Sequence, residues 1–178
     1  GETPFLHIAE PGALHSQRHC FNLDCRPCDC IYNVTMVRVV IDTSVFVAGM
    51  RSGGGAARAV LRCCLNGDYL PLFGTALWQE YSALLHRESC WDELSDPQER
   101  LTVLRALAAR GEWVHIYFGW RPNLPDEGDN HLIELALAGN AQAVVTHNLR
   151  DLKGGELHFP HLKILSPAHC LEVYPCEH

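Results

Sequence analysis

Val37-Arg-Val-Val-Ile-Asp42-Thr-Ser-Val-Phe-Val47 is an apolar, β-branched run interrupted by one carboxylate, with two hydroxyls directly after it. A central strand of a parallel sheet is covered on both faces and so reads as continuous Val and Ile. Its C-terminal end opens into the crevice where α/β proteins bind ligands. The stretch therefore points to an α/β fold with Asp42 at the mouth of that crevice. Two readings of Asp42 stay open on these residues alone: a catalytic or metal-binding acid, or the cap of the following helix.

Outward from this strand, helix and strand patterns alternate. The Arg51-Ser-Gly-Gly-Gly55 loop leads into a helix ending at Gly67, on which Ala57, Val60, Leu61 and Cys64 recur at the spacing of one buried stripe. Leu70 to Phe73 reads as a second strand, followed by Thr75 as an N-cap and a helix through about His86. Asp96-Pro97-Gln98-Glu99 combines a capping acid, a proline at the first helical position and a glutamate at the third, and opens a helix that should stop at Gly111. Val114 to Phe118 reads as a third strand, Pro122 to Pro125 as a loop, and Glu127 to Ala138 as a helix. Further strands are expected at Ala143 to Thr146 and Leu162 to Leu165. Such alternation specifies parallel βαβ units.

Bulk properties narrow the class. The chain has 178 residues, of which 47% are hydrophobic and 20% charged, the balance of one globular domain with an appendage. Its formal net charge of −7 gives no basic nucleic-acid footprint, although carboxylates that hold a divalent cation can coexist with such a ligand. No apolar run approaches the ~20 residues of a membrane helix, and the N-terminus lacks a signal-peptide layout, so the expected location is cytoplasmic. Composition shifts at Met36, a candidate initiator. Residues 1–35 read as a Cys/His/Pro-rich extension, irregular or not native, and residues 36–178 as the domain.

Cysteine usage carries a trap. Cys20, Cys25, Cys28 and Cys30, with His15 and His19 nearby, evoke a metal site, but their spacing is not that of a standard zinc knuckle and the segment reads as an arm. Cys63, Cys64, Cys90, Cys170 and Cys176 show no pairing pattern, and most are expected to be reduced.

Other carboxylates fall where apolar periodicity places them near the sheet. Glu80 lies three residues after Leu77 and four before Leu84, on or beside an apolar stripe. A buried acid costs several kcal/mol unless paired or metal-bound, so Glu80 is either a ligand or half of a salt bridge. Asp129 precedes Leu132, Ile133 and Ala136 at i+3, i+4 and i+7 and so faces the sheet, whereas Glu134 is solvated. Asp126 fits an N-cap, with a place beside a metal as the alternative. Asn148 and Asp151 follow the fourth strand, either as ligands or as turn residues. In a doubly wound sheet Asp42, Glu80, Asp129 and Asn148 or Asp151 would meet at one edge. Hard oxygen donors suit Mg²⁺ or Mn²⁺. The matching chemistry is metal-assisted phosphodiester hydrolysis, the ion activating water and stabilising the leaving oxygen.

These residues resemble the PIN-domain family, and more narrowly the small prokaryotic PIN proteins of toxin–antitoxin pairs. The resemblance covers residues 36–178, carried by Val39-Val-Ile-Asp-Thr-Ser-Val-Phe46, Glu80, Asp126-Glu-Gly-Asp-Asn-His-Leu-Ile-Glu-Leu-Ala136 and Val144-Val-Thr-His-Asn-Leu-Arg-Asp-Leu152. It implies a three-layer α/β/α fold with a five-stranded parallel sheet in the order 3-2-1-4-5. It also implies cleavage of single-stranded RNA with Mg²⁺ or Mn²⁺, a homodimer and an antitoxin partner. Asp42, Glu80 and Asp129 match the family's principal acids, and Ser44 and Thr146 its polar positions beside the metal. Asn148 stands where an aspartate is frequent, with Asp151 as a substitute; this puts a second metal in doubt.

Arg51, Arg58 and Arg62 are candidate contacts to an RNA backbone, or members of a solvated face. The principal rival is a PIN-like module that binds RNA or protein without turnover. A phosphotransferase of the haloacid dehalogenase type, with Asp42 as nucleophile, is disfavoured because Ser44 occupies the place of its second aspartate.

Overall fold

The computed structural model describes residues 36–91, 96–117, 127–153 and 159–176. Strands β1 (Val37–Ile41), β2 (Tyr69–Phe73), β3 (Glu112–Trp113), β4 (Ala143–Val145) and β5 (Lys163–Leu165) form a parallel sheet in the order β3-β2-β1-β4-β5. The α/β/α architecture and strand order expected from the resemblance are those observed. β1 is central, as its Val/Ile run requires, and Val39, Val40 and Ile41 are buried. Val39 pairs with Pro71 of β2 and Ala143 of β4, and Ile41 with Val145. The strand order reverses between β1 and β4, so the ligand crevice of this topology lies at their C-terminal ends.

Helices α1 (Thr43–Arg51), α2 (Ala56–Asn66), α3 (Thr75–Leu85), α4 (Pro97–Arg110), α5 (Asn130–Ala138), α6 (Leu149–Lys153) and α7 (Pro167–Val173) cover the sheet. α2 buries Ala57, Val60, Leu61 and Cys64 and packs on α1, α4 and α7, whereas α5 packs on β1, β2 and β4. At the α1–α2 crossing a Cβ on Gly49 would lie 2.6 Å from Leu61 Cδ1 and 3.3 Å from the Ala57 backbone, so any larger residue there would displace Leu61. Asp96 caps α4 through the Gln98 N–H at 2.9 Å, with Pro97 first in the helix. Arg38 of β1 makes two 2.8 Å bonds to Glu112 of β3 and a third, of 2.7 Å, to the Gly139 carbonyl beyond α5.

Several element boundaries differ from the sequence reading. The residues after Asp42, given no element of their own in the sequence reading beyond a helix that Asp42 would cap, form α1, with Val45 and Phe46 buried against the core. Thr75 is the first residue of α3 rather than its cap, a position held by Gly74. β3 is Glu112–Trp113, just ahead of the expected Val114 to Phe118, although the Val114 N–H still bonds the Phe73 carbonyl at 2.7 Å. The stretch Glu127–Asp129 is a 3₁₀ turn, and α5 proper starts at Asn130. α6 and α7 are additions to the expected pattern. Phe118 and the loop Pro122 to Pro125 lie outside the described residues, as do the N-terminal cysteines and histidines.

Most of the five cysteines of the domain are free thiols, as expected, but one pair that the sequence does not announce is bridged. Cys63 and Cys176 form a disulfide, while Cys64, Cys90 and Cys170 are free thiols. The bridged residues are 113 positions apart, and only the packing of α7 on α2 brings them together. Among the described residues no helix is long and apolar enough to cross a membrane.

Candidate active site

β1 ends at Ile41, and Asp42 is both the next residue and the N-cap of α1, so the two readings of this acid describe one position. Its backbone N–H continues the ladder to the Val145 carbonyl at 2.9 Å. Its side chain is held by two short bonds: Ser44 Oγ and Thr146 Oγ1 each donate to Oδ2 at 2.6 Å. Oδ1 takes the longer contacts, 3.3 Å from the Ser44 N–H and 3.3 Å from the Thr43 hydroxyl. Thr146 is fully buried at the end of β4, and its hydroxyl also accepts the Asn148 N–H at 2.9 Å. The carboxylate is therefore oriented from both the first turn of α1 and the end of β4.

α3 brings Glu80 to the same region through its neighbour. The buried Tyr81 hydroxyl donates to the Ile41 carbonyl at 2.8 Å, fastening α3 to the last residue of β1. Burial pushes the Tyr81 phenol well up, and the charges of Asp42 and Glu80 push it further. Glu80, with its side chain 43% exposed, lies 3.4 Å from His131 Nε2 of α5. The contact becomes an ion pair when the imidazole is protonated; Nε2 itself is buried and makes no well-formed hydrogen bond. His131 Nδ1 lies 2.6 Å from the Gly128 carbonyl. Burial opposes the charged imidazole, but Glu80, the Gly128 carbonyl and Asp129 outweigh it and raise the His131 pKa.

Asp129 is half-buried at the junction of the 3₁₀ turn and α5. Tyr81 senses Asp42 and Glu80, and His131 senses Glu80 and Asp129, so the three acids share one electrostatic neighbourhood. Among the described residues they do not form a set whose ligand atoms all lie within 4.8 Å of one another.

The remaining predicted positions divide. Asn148 is exposed just beyond β4, and Asp151 belongs to α6. Asp126 lies outside the described residues. Arg51 and Arg62 are exposed, but Arg58 Nη1 donates to the carbonyls of Gly49 (3.5 Å) and Ser52 (3.3 Å) and so closes the α1–α2 loop. Tyr81 and His131 escaped the sequence reading, although each lies within two residues of a predicted acid. Aromatic and histidine positions next to carboxylates were the available signal.

The PIN-domain profile matches residues 38–150, a span that holds Asp42, Glu80, Asp129 and Asn148 and stops one residue before Asp151. The chain belongs to the PIN-domain family. PIN domains are generally nucleases, and PIN nucleases generally use divalent metal ions. A similar solved structure is that of VapBC2 from Rickettsia felis bound to a DNA fragment from their promoter. It aligns with a TM-score of 0.51 at 14% identity over 73% of this chain and 98% of that one, a likeness of PIN fold. No curated protein matches the chain.

Proposed function

We propose that this PIN domain is an endoribonuclease that hydrolyses phosphodiester bonds of single-stranded RNA with Mg²⁺ or Mn²⁺. Asp42, Glu80 and Asp129 are the carboxylates that would hold the ion, with Asn148 and Asp151 as auxiliary donors. The observation that carries this reading is the Asp42 carboxylate, clamped by Ser44 and Thr146 at the strand-order reversal of the sheet. When bound, the ion would lower the pKa of a coordinated water and neutralise charge on the scissile phosphate.

The chain's own residues prepare the site. Ser44 and Thr146 fix one oxygen of Asp42 and leave the other with longer contacts. Tyr81 keeps α3 against the end of β1, so that Glu80 stays near Asp42. When protonated, His131 balances the charge of Glu80. Arg51 and Arg62 offer exposed cations to an RNA backbone, while Arg58 stiffens the loop between them. In this proposal residues 36–178 are the nuclease domain, behind the 1–35 extension, and the protein acts in the cytoplasm as a homodimer.

The proposal extends to a toxin restrained by an antitoxin, with the fold likeness to VapBC2 in support. The competing non-catalytic module is favoured by the neutral Asn148 and by the spread of the three acids. The decisive experiment is cleavage of an end-labelled single-stranded RNA by purified protein with Mn²⁺, with duplex RNA and single-stranded DNA beside it. Cleavage that needs metal and disappears in Asp42→Asn supports the nuclease. Equal activity in folded Asp42→Asn overturns the assignment of the chemistry to Asp42, and no cleavage by the intact chain overturns the nuclease in favour of a binding module.

A further inference from the structure

A second group of chemically capable side chains lies where α2 meets α7. Cys63, Asp68 and Cys176 each bring one ligand atom within 4.8 Å of the other two. The end of α2 explains half of this arrangement. Gly67 takes the left-handed conformation, φ 96°, and its N–H bonds the carbonyls of Cys63 and Cys64. The Asp68 N–H returns to the Cys63 carbonyl at 2.9 Å. This Schellman turn folds the Asp68 backbone onto the helical turn that carries Cys63.

The other half comes from the C-terminal segment. The Tyr174 N–H bonds the Cys170 carbonyl at 2.8 Å to close α7, the Tyr69 hydroxyl donates to the Tyr174 carbonyl, and Lys163 Nζ lies 5.1 Å from the centre of the Tyr174 ring. These contacts hold the chain two residues before Cys176 by means other than the disulfide. Opening the S–S bond therefore leaves both sulfurs near Asp68. A dithiol reductant supplies the two electrons and two protons that convert the disulfide into two thiols, and is itself oxidised to a disulfide. Such reduction is the normal state of cysteines in a reducing compartment.

Two thiolates and a carboxylate are ligands of a thiophilic divalent cation, not of Mg²⁺. Tetrahedral zinc with bonds of roughly 2.0–2.3 Å separates its ligand atoms by about 3.3–3.8 Å, so once the bond is open the two sulfurs must part to that separation by side-chain rotation, while Asp68 already lies within 4.8 Å of both. The neighbouring thiols are poor competitors: burial pushes Cys64 far up, and pushes Cys170 up to about 11. We propose that, in the reduced protein, Cys63, Asp68 and Cys176 bind Zn²⁺ as an alternative to the disulfide at the same two sulfurs. Binding releases the two thiol protons and leaves a fourth position for water. Either the bond or the ion then fastens the C-terminal segment to α2.

The test uses the full-length chain carrying Cys20→Ser, Cys25→Ser, Cys28→Ser and Cys30→Ser, reduced and freed of metal, with Co²⁺ as the probe. The expected result is one equivalent of cobalt with a thiolate-to-metal charge-transfer band, displaced by Zn²⁺ and absent from the disulfide form. Cobalt held by the acids at Asp42 gives no such band. Cys176→Ser should abolish the band, and Asp68→Asn should keep it while weakening affinity by roughly tenfold or more. In the reduced protein without further substitution, Zn²⁺ should also protect Cys63 and Cys176 from alkylation, read by peptide mass; this arm needs no variant to fold. The proposal is overturned by absence of the band, by its persistence in Cys176→Ser, by unchanged affinity in Asp68→Asn, or by alkylation of both cysteines at saturating Zn²⁺.

Discussion

The acidic end of the sheet and the sulfur-bearing junction of α2 with α7 solve one problem in different ways. Both gather side chains that are distant in sequence: Asp42 with Thr146 in one case, Cys63 with Cys176 in the other. At the first, backbone ladders do the gathering, since β1 and β4 pair and their last residues must meet. The donors there are oxygens beside a half-exposed Glu80, a place where charge stays hydrated. At the second, helix packing does the gathering, and the neighbouring free thiols Cys64 and Cys170 are buried. Hard donors in a hydrated crevice and soft donors at a packed helix junction favour different ions.

The sharpest way to break this contrast is to damage each end in turn and compare activity with stability. Asp42→Asn should abolish Mn²⁺-dependent RNA cleavage with little change in thermal midpoint; a gel assay beside calorimetry checks both. Cys176→Ser should do the opposite. Loss of a bridge closing a loop of 113 residues should cost about 2–4 kcal/mol, lowering the midpoint by ~5–15 °C in metal-free protein with cleavage below the midpoint retained.

Thr146→Val tests whether the acidic end depends on its hydroxyl clamp. It removes one bond to Asp42 and the acceptor of the Asn148 N–H. A loss of ~10–100-fold in metal affinity or activity is expected, with about 1–3 kcal/mol of stability, measured by Mn²⁺ titration and denaturant unfolding. The smallest effect concerns His131. Its pKa is raised in the folded chain, so the pair with Glu80 contributes fully below the unfolded histidine value of about 6.5 and is lost as pH rises through the folded value. An NMR titration should show the His131 ring titrating above ordinary histidines. Glu80→Gln should bring it down, because the opposing effect of burial then prevails.

How much of this was legible in the chain differs between the two ends. The Val/Ile run ending in Asp42, the stripe around Asp129 and the capping box at Asp96 are local patterns whose period reports the structure directly, and β1, α4 and α5 lie close to where those patterns put them. The residues after Asp42 gave no helical period of their own, and α1 forms through burial of Val45 and Phe46. Tyr81 and His131 carry no pattern of their own; their roles exist only through contacts with Ile41 and Glu80.

What the amino-acid order determined by itself was the alternation of strands and helices, the central position of Val37–Ile41 and the set of acids, since hydrophobic period and chain-end chemistry act over a few residues. What only the tertiary structure decided was which side chains meet: Ser44 and Thr146 on one oxygen of Asp42, Arg58 turned to a loop, and Cys63 bridged to Cys176. The physical reason is range. Periodicity is a property of neighbours along the chain, whereas these contacts depend on how sheet order and helix packing bring separate segments together.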